Sequence, residues 1–454
     1  ASFTERLLSQ IGLRVKDEKQ LLIAKYIIGN LDDSGYLRRE LFNIVDDLAF
    51  SQNINTSEEE LLNALKQVQS LEPAGVGARD LKECLLIQLK KKTRTISIKT
   101  AEVILEKWKK NYAEKTLNFK KPAGTSRGIL EEKPSWILFF DEAPLLRGEC
   151  SIIPGLSPDY VDDEQYENKV KWVCEIYNGL DKHDSITLLS FFSTELQAYP
   201  SILFGIETLI YNLNLSKGID SFESSFSKGQ NGIPINGLIW MGSVDQMITQ
   251  LEDKIKEGYE IVKLKIGAIS FKKELSILKF IREKYNQEIE VRVDANGAYE
   301  GPEVKEVLHH LKNLGVHSIE QPIAKGNWKL MNALCKEAVI PIALDEELIG
   351  VTNEHDKKEL LSLIKPQFII LKPSLHGGIK GCNEWIQLAE SFGVGWWLTS
   401  ALESNIGLEM IARFAAYFKP NIAQGLGTGG LFLNNFSSRL FIDKGYLFLG
   451  DEEK

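Results

Sequence analysis

The run IVKLKIG at residues 261–267 places Lys263 and Lys265 two apart in otherwise apolar sequence. A β-strand alternates its side chains, so both ammonium groups project to one face. If that face is interior, two like charges lose water together, which lowers lysine pKa and suits proton transfer. An edge strand with a wet face would accommodate the pair equally well, so this spacing alone leaves both readings open. Further along, Asp294 stands in IEVRVDAN, Glu320 in HSIEQP, Asp345 in IPIALDE and Lys372 in FIILKPS. Counted from Lys265, these positions follow at separations of 29, 26, 25 and 27 residues. Each step is the length of one β/α unit, so each residue falls at a similar height on successive strands. Three carboxylates so placed are hard oxygen donors, suited to Mg²⁺, with Mn²⁺ as the alternative. A divalent ion among them would help keep at least one of the flanking lysines neutral enough to act as a base.

Taken singly, each residue has a plainer reading. Asp294 before Asn296 and Gly297 suits a turn, Glu320 or Asp345 suits a helix cap, and Lys372 suits a strand end at the surface. Their common spacing favours a site over five coincidences. His376 reads as a loop histidine before Gly377 and Gly378, and His309 and His310 fall in a helical pattern.

The elements that must carry these residues recur from Ile233 onward. Apolar strand candidates are IPINGLIW (233–240), IVKLKIG (261–267), IEVRVDAN (289–296), HSIEQP (317–322), IPIALDE (340–346), FIILKPS (368–374), VGWWLTS (394–400) and IAQGLGT (422–428). Segments of helical periodicity such as VDQMITQLEDKIKEG lie between them. The pattern predicts an α/β protein, a (β/α)8 TIM-type barrel whose site lies at the C-terminal ends of the strands. Ahead of it, residues 107–230 read as an α+β capping domain completed by 431–454, with the barrel over 231–430. Residues 1–106 read as an all-helical segment, where Ser57 with Glu60 forms a capping-box pattern. KKKTR at 90–94 reads as a solvated helix end rather than a binding patch.

The chain has 454 residues, 43% hydrophobic and 26% charged, with a net charge of −9. That balance fits a globular protein of two or three domains and argues against nucleic acid as a partner of the whole chain. Five cysteines without a CxxC pair suggest reduced thiols and a cytoplasmic location. No apolar run is long enough to span a bilayer, and no secretory signal is expected. The first residue, Ala1, is not Met, which reads as a processed start or a fragment end.

KLKIG, VRVDANGAY, SIEQP, ALDEE and ILKPS together resemble the enolase superfamily, in its muconate-lactonizing-enzyme subgroup. Within it, FKKPAGTSRG (119–128), RGECSIIPGLSPD (147–159) and YPSILFGIETL (199–209) are similar to o-succinylbenzoate synthases. The resemblance implies a lyase that dehydrates 2-succinyl-6-hydroxy-2,4-cyclohexadiene-1-carboxylate in menaquinone biosynthesis. It implies Mg²⁺ held by Asp294, Glu320 and Asp345, Lys265 as base and acid, Lys372 opposite it, and Lys263 tuning Lys265. Asn296 and Glu346 would orient the ligands. Gly124, Thr125, Ser126 and Arg127 would close over the substrate, and Gly377, Ser400, Glu403 and Ser404 would line its pocket. Glu403 and Ser404 read equally well as helix-start residues. N-succinylamino-acid racemisation by the same two lysines is the alternative activity. Dipeptide epimerases of the superfamily carry acids after strand 8, where this chain has GLGTGG (425–430). Racemases with a histidine base on strand 7 differ too, since that strand reads GWWLTS.

IGNLDDSGYL (28–37) and LEPAGVGARDLKECLLIQL (71–89) resemble the core-binding region of sigma-54 factors over about residues 1–106. In that family the region docks on core RNA polymerase. The activator-contact and promoter-recognition segments of the family have no counterpart here. A fusion fragment without activity is therefore the preferred reading over a polymerase-binding module with the barrel as passenger.

Overall fold

The computed structural model describes residues 3–80, 83–84, 87–88, 91, 110–125, 128–141, 143–179 and 185–450. By their contacts the residues form two compact units: Ala1–Lys110 with Phe140–Leu145, and Asn111–Phe139 with Leu146–Lys454. KKKTR lies outside the described residues apart from Lys91.

Among the described residues of the first unit, helices α1 (Phe3–Arg14), α2 (Glu18–Gly29), α3 (Leu41–Gln52) and α4 (Glu58–Gln69) follow one another. Their apolar stripes meet in one core that includes Ile11, Ile23, Ile27, Leu48, Leu61 and Leu65. Asp17 caps α2 by accepting from Gln20 N at 2.7 Å. Ser57 and Glu60 close the capping box at the start of α4. The two turn-rich connectors hold each other: Leu37 N donates to Ala78 O and Gly77 N to Gly35 O, both at 2.9 Å.

A sheet ordered β1 (Lys110–Thr125), β2 (Gly128–Phe140) and β3 (Ala143–Ser151) comes next, and all of it but Lys110, Phe140 and Ala143–Leu145 belongs to the second unit. Helices α5 (Asp163–Gly179), α6 (Ser185–Glu195) and α7 (Pro200–Leu215) follow. The barrel is a parallel sheet in sequential order: β5 (Gly237–Ile239), β6 (Ile261–Lys265), β7 (Glu290–Asp294), β8 (Ser318–Glu320), β9 (Ile342–Leu344), β10 (Phe368–Leu371) and β11 (Gly395–Leu398). The helices between are α8 (Val244–Lys256), α9 (Phe271–Tyr285), α10 (Glu303–Asn313), α11 (Trp328–Glu337), α12 (Glu354–Ile364) and α13 (Gly378–Ser391), with α14 (Asn405–Tyr417) after β11.

Two strand expectations are corrected. The expected first strand divides: β4 (Ile233–Pro234) joins the C-terminal hairpin β12 (Leu440–Asp443) and β13 (Tyr446–Leu449), and only β5 enters the barrel. Residues 422–428 are not a full eighth strand. They close the ring through single bridges, Gln424 with Ile235 and Gly425 with Thr399. The glycines there lack side chains to pack and lose more entropy on ordering. Gln424 also substitutes its side chain for the ladder, accepting from Leu398 N at 2.8 Å.

One cap carboxylate ties α7 to the barrel. Glu207 accepts from Ile379 N at 2.5 Å and Lys380 N at 3.0 Å, at the start of α13. Gly378, with φ +70, leaves no room there for a Cβ, which would collide with Glu207 Oε2. Burial pushes the Glu207 carboxyl up to about 8, against the opposing pull of those two N–H groups. Its folded value lies above its unfolded value, so the folded state binds the extra proton and stability falls as pH rises from about 4.5 to 8. Urea unfolding of the wild type is expected to weaken over that range relative to Glu207→Gln, by on the order of 3 kcal/mol. Parallel pH profiles for the two proteins would contradict this.

Candidate active site

The β/α register brings the chemistry-bearing residues to one end of the barrel. Lys265 pairs with Asp294 across β6 and β7, and Asp294 with Glu320 across β7 and β8. Glu320 stands opposite Ala343, and Asp345 lies two residues beyond on the same face. Lys372 follows the end of β10. Lys263 and Lys265 therefore point into the barrel, and the wet-edge reading of their strand does not hold.

The side chains form one ionic cluster. Lys263 Nζ donates to Glu320 Oε2 at 3.0 Å and Asp294 Oδ2 at 3.3 Å. Lys265 Nζ donates to Asp294 Oδ2 and Asn296 Oδ1, both at 3.0 Å. Lys372 Nζ donates to Asp345 Oδ2 at 2.5 Å. The three carboxylates are at most 2% exposed. Burial pulls Lys263 down, but Glu320 and Asp294 outweigh it and its pKa is raised. Lys372 behaves likewise, with Asp345 as the dominant partner. Burial raises Asp294, but Lys265 and Lys263 hold it well below the usual carboxylate range. Burial and the neighbouring Asp294 push Glu320 up to about 7.

Glu320 Oε1 and Asp345 Oδ1 are buried without a hydrogen-bond partner among the described residues. Each costs free energy unless a cation or donor meets it. Together with Asp294 they make an all-oxygen set that fits a hard divalent ion. The three are spread among the lysines. Among the described residues, the ligand-type group whose atoms all lie within 4.8 Å of one another is elsewhere: His355, Asp356 and Glu359, exposed on α12.

Neighbouring groups fix this arrangement. Asn296, at φ +44, donates its side-chain amide to Glu346 Oε1 at 2.9 Å and its backbone N–H to Asp294 Oδ1 at 3.1 Å. Gln321 Oε1 accepts from Asp345 N and Glu347 N, both at 3.2 Å, and holds the turn that carries Asp345. His376 is buried, and its Nδ1 accepts from Lys372 N at 2.9 Å. Burial, then Lys372 and Lys357, drive its pKa well down, so it is a neutral brace for Lys372.

A cavity of about 150 Å³ covers the lysines. Gly128, Ile129 and Leu130 of β2 and Ile153, Pro154 and Leu156 after β3 form its cap side. Lys263, Lys265, Asp294, Asn296, Lys372 and Ser400 line the barrel side. Gly124, Gly377, Glu346, Glu403 and Ser404 do not line it. Gly124 packs on the backbone of Met241, whose N–H donates to Gly124 O at 3.3 Å. Gly377, at φ +87, starts α13. Ser404 starts α14, accepting from Ile406 N at 3.2 Å, and Glu403 sits behind the wall, accepting from Ser374 Oγ at 2.6 Å and Ser400 Oγ at 2.7 Å. Ser126, Arg127 and the side chain of Thr125 lie outside the described residues.

Sequence reasoning missed Asn236, Trp240, Thr399, Leu402 and Thr428, which line the cavity, and Glu149, which braces its wall. The first five sit at the ends of β5 and β11 and in the closing segment, positions where any barrel strand end can reach the site. Glu149 in RGECS carried no such signal.

Residues 246–447 match the family described as enolase C-terminal domain-like. An o-succinylbenzoate synthase of Desulfotalea psychrophila is 41% identical over 362 residues, covering 74% of this chain and 98% of that protein. The chain belongs to the o-succinylbenzoate synthase family of the enolase superfamily. It is an enzyme of that family, a carbon–oxygen lyase. The crystal structure of MenC from the same organism superposes with a TM-score of 0.64 at 36% identity, covering 75% of this chain and 99% of that one. The same fold appears in a dipeptide epimerase of Enterococcus faecalis, solved with Mg and L-Leu-L-Tyr, with a TM-score of 0.65 at 18% identity and coverage of 76% and 97%. Residues 1–158 match the sigma-54 factor core binding domain. That match is longer than the 1–106 suggested by the motifs and runs into β1–β3. Among the described residues, no helix is long and apolar enough to cross a membrane.

Proposed function

We propose that the chain dehydrates 2-succinyl-6-hydroxy-2,4-cyclohexadiene-1-carboxylate to o-succinylbenzoate and water, the reaction of menaquinone biosynthesis. The observation that carries this reading is the pair of ammonium groups, Lys265 and Lys372, facing one cavity from β6 and β10 beside three buried carboxylates. Mg²⁺ held by Asp294, Glu320 and Asp345 would supply Lewis acidity at the ring carboxylate. Lys265 Nζ, as the neutral amine, takes the proton from C1 and becomes the ammonium, and the C1–H electron pair moves toward the carboxylate. The same ammonium then returns that proton to the hydroxyl leaving C6, so both transfers use one face of the ring. Lys372 stays protonated on the other side and stabilises the negative charge, partly through its position over the ring. Lys263 helps Lys265 hold Asp294 ionised, opposes the rise of Glu320, and keeps both carboxylates in place. Asn296 fixes the direction of Lys265 Nζ, and the cap residues exclude water.

Two lysines on opposite sides of the cavity also suit racemisation, one removing and the other returning a proton. N-succinylamino acids are therefore the second substrate class to assay. The GLGTGG segment offers no acid for a peptide ammonium, which disfavours dipeptides.

Metal dependence has a readout apart from turnover. Mg²⁺ at about 100 times its dissociation constant is expected to stabilise the protein by about 2.7 kcal/mol, seen as a rise in Tm. Asp345→Asn should abolish most of that rise, and EDTA should stop turnover in the wild type. Equal Tm with and without Mg²⁺, together with undiminished turnover in EDTA, would contradict the assignment.

A further inference from the structure

Three buried polar atoms on the wall away from the carboxylates have no hydrogen-bond partner among the described residues: Asn236 Oδ1, Thr399 Oγ1 and Thr428 Oγ1. Their residues are 3%, 7% and 5% exposed, and all three line the cavity that holds the lysines. They are neighbours where the barrel closes. Asn236 N donates to Gln424 O at 3.0 Å, Thr399 bridges to Gly425, and Thr428 follows three residues later. Three orphaned polar groups around one cavity are costly in a folded protein unless a ligand satisfies them.

Their chemistry selects the ligand group. Two hydroxyls and a carboxamide can turn donors toward an acceptor, and an amide presents either end. Among the described residues, the charged side chains that line the cavity are three ammonium groups and one carboxylate, Asp294. That balance favours an anion over a cation. A Cβ at Gly425 would collide with Thr399 Oγ1, so the glycine leaves room for that hydroxyl.

We propose that Asn236, Thr399 and Thr428 form a carboxylate subsite that recognises the far end of the substrate by neutral hydrogen bonds. The inference rests on the proposed reaction, whose substrate carries a second carboxylate on its succinyl tail. The ring carboxylate is bound among the lysines, and the tail carboxylate reaches the closing strands. These residues act in binding and selection and do not touch the reacting atoms.

The test uses the full chain and two probes, o-succinylbenzoate and its tail methyl ester, titrated by calorimetry. The wild type is expected to bind the acid roughly 100-fold more tightly than the ester, since charge-assisted hydrogen bonds are the strong ones. Thr399→Val and Thr428→Val should each weaken acid binding roughly 10-fold and leave ester binding nearly unchanged. Thr399→Ser, which keeps the hydroxyl, should restore acid binding. In turnover, the valine variants should raise KM by the same factor and change kcat less than about threefold. Equal binding of acid and ester by the wild type, or a preference unaltered in both valine variants, would overturn the subsite. So would tighter binding of an analogue bearing an amine on its tail. Strong acid preference without turnover of the cyclohexadiene would overturn the reaction and leave the subsite standing.

Discussion

Lys265→Ala is expected to lower turnover of the cyclohexadiene by about 10²- to 10⁴-fold, the range for loss of a positioned acid–base group. Here one nitrogen serves both proton transfers, so the upper part of that range applies. Substrate affinity should change little, because Lys372, Lys263 and the carboxylates remain. The fold should survive. Lys265 is held by Asp294 and Asn296, both of which keep other partners: Lys263 Nζ on Asp294 and Glu346 on Asn296. Lys265→Arg should be nearly as damaging, since a guanidinium does not deprotonate at working pH. Steady-state kinetics with circular dichroism checks this. Turnover within tenfold of wild type in the alanine variant would contradict the role.

Glu149→Ala carries the largest expected effect on stability. This carboxylate is fully buried on β3 and reaches the start of α14. It accepts from Ser404 N at 2.9 Å, Ser404 Oγ at 2.6 Å, Gly407 N at 3.0 Å and Ser135 Oγ at 3.0 Å. Ser135 also accepts from Lys133 Nζ, which is buried and otherwise bonded to Ser151 Oγ at 2.6 Å. Burial lowers the Lys133 pKa, and Glu149 then Glu403 oppose that shift. Removing the carboxylate strands two backbone donors and leaves Lys133 without its nearest countercharge. A loss of about 3–5 kcal/mol follows, read as a fall in Tm on the order of 5–10 °C. The cavity wall should loosen with it, because Leu402 sits there at φ +62. That conformation persists only when its surroundings hold it, here through Leu402 N on Ser400 Oγ at 2.9 Å. A Tm within 1–2 °C of wild type would show that the bridge from cap to barrel is dispensable.

How far the site was legible differs from residue to residue. Lys263, Lys265, Asp294, Glu320, Asp345 and Lys372 could be read because the barrel repeats itself. A polar residue at one strand end predicts the height of the next, and the hydrophobic runs before them mark the strands. Asn296 and Glu346 could be read because they neighbour those positions in sequence. Glu149 could not, since its partner Ser404 lies 255 residues away and no local pattern joins a cap strand to a barrel helix. Glu207, 172 residues from Ile379, was hidden for the same reason. Thr399 and Thr428 were hidden because hydroxyls are common at strand ends and only burial singles them out. The closing segment reads as a regular strand because it follows the barrel's recurring strand–helix order, whereas its backbone pairs with each neighbour only through a single bridge. The same limit applied to Ile233 and Pro234. Their apolar character fits any sheet, and only the hairpin at Tyr446–Leu449 shows which one they join.

The most direct test of the proposed reaction is to mix the purified chain with Mg²⁺ and the hydroxycyclohexadiene carboxylate and follow the diene absorbance. The absorbance is expected to fall, with o-succinylbenzoate as the product by mass spectrometry, and to stay constant in EDTA. No loss from a folded, metal-bound protein would contradict the proposed dehydration.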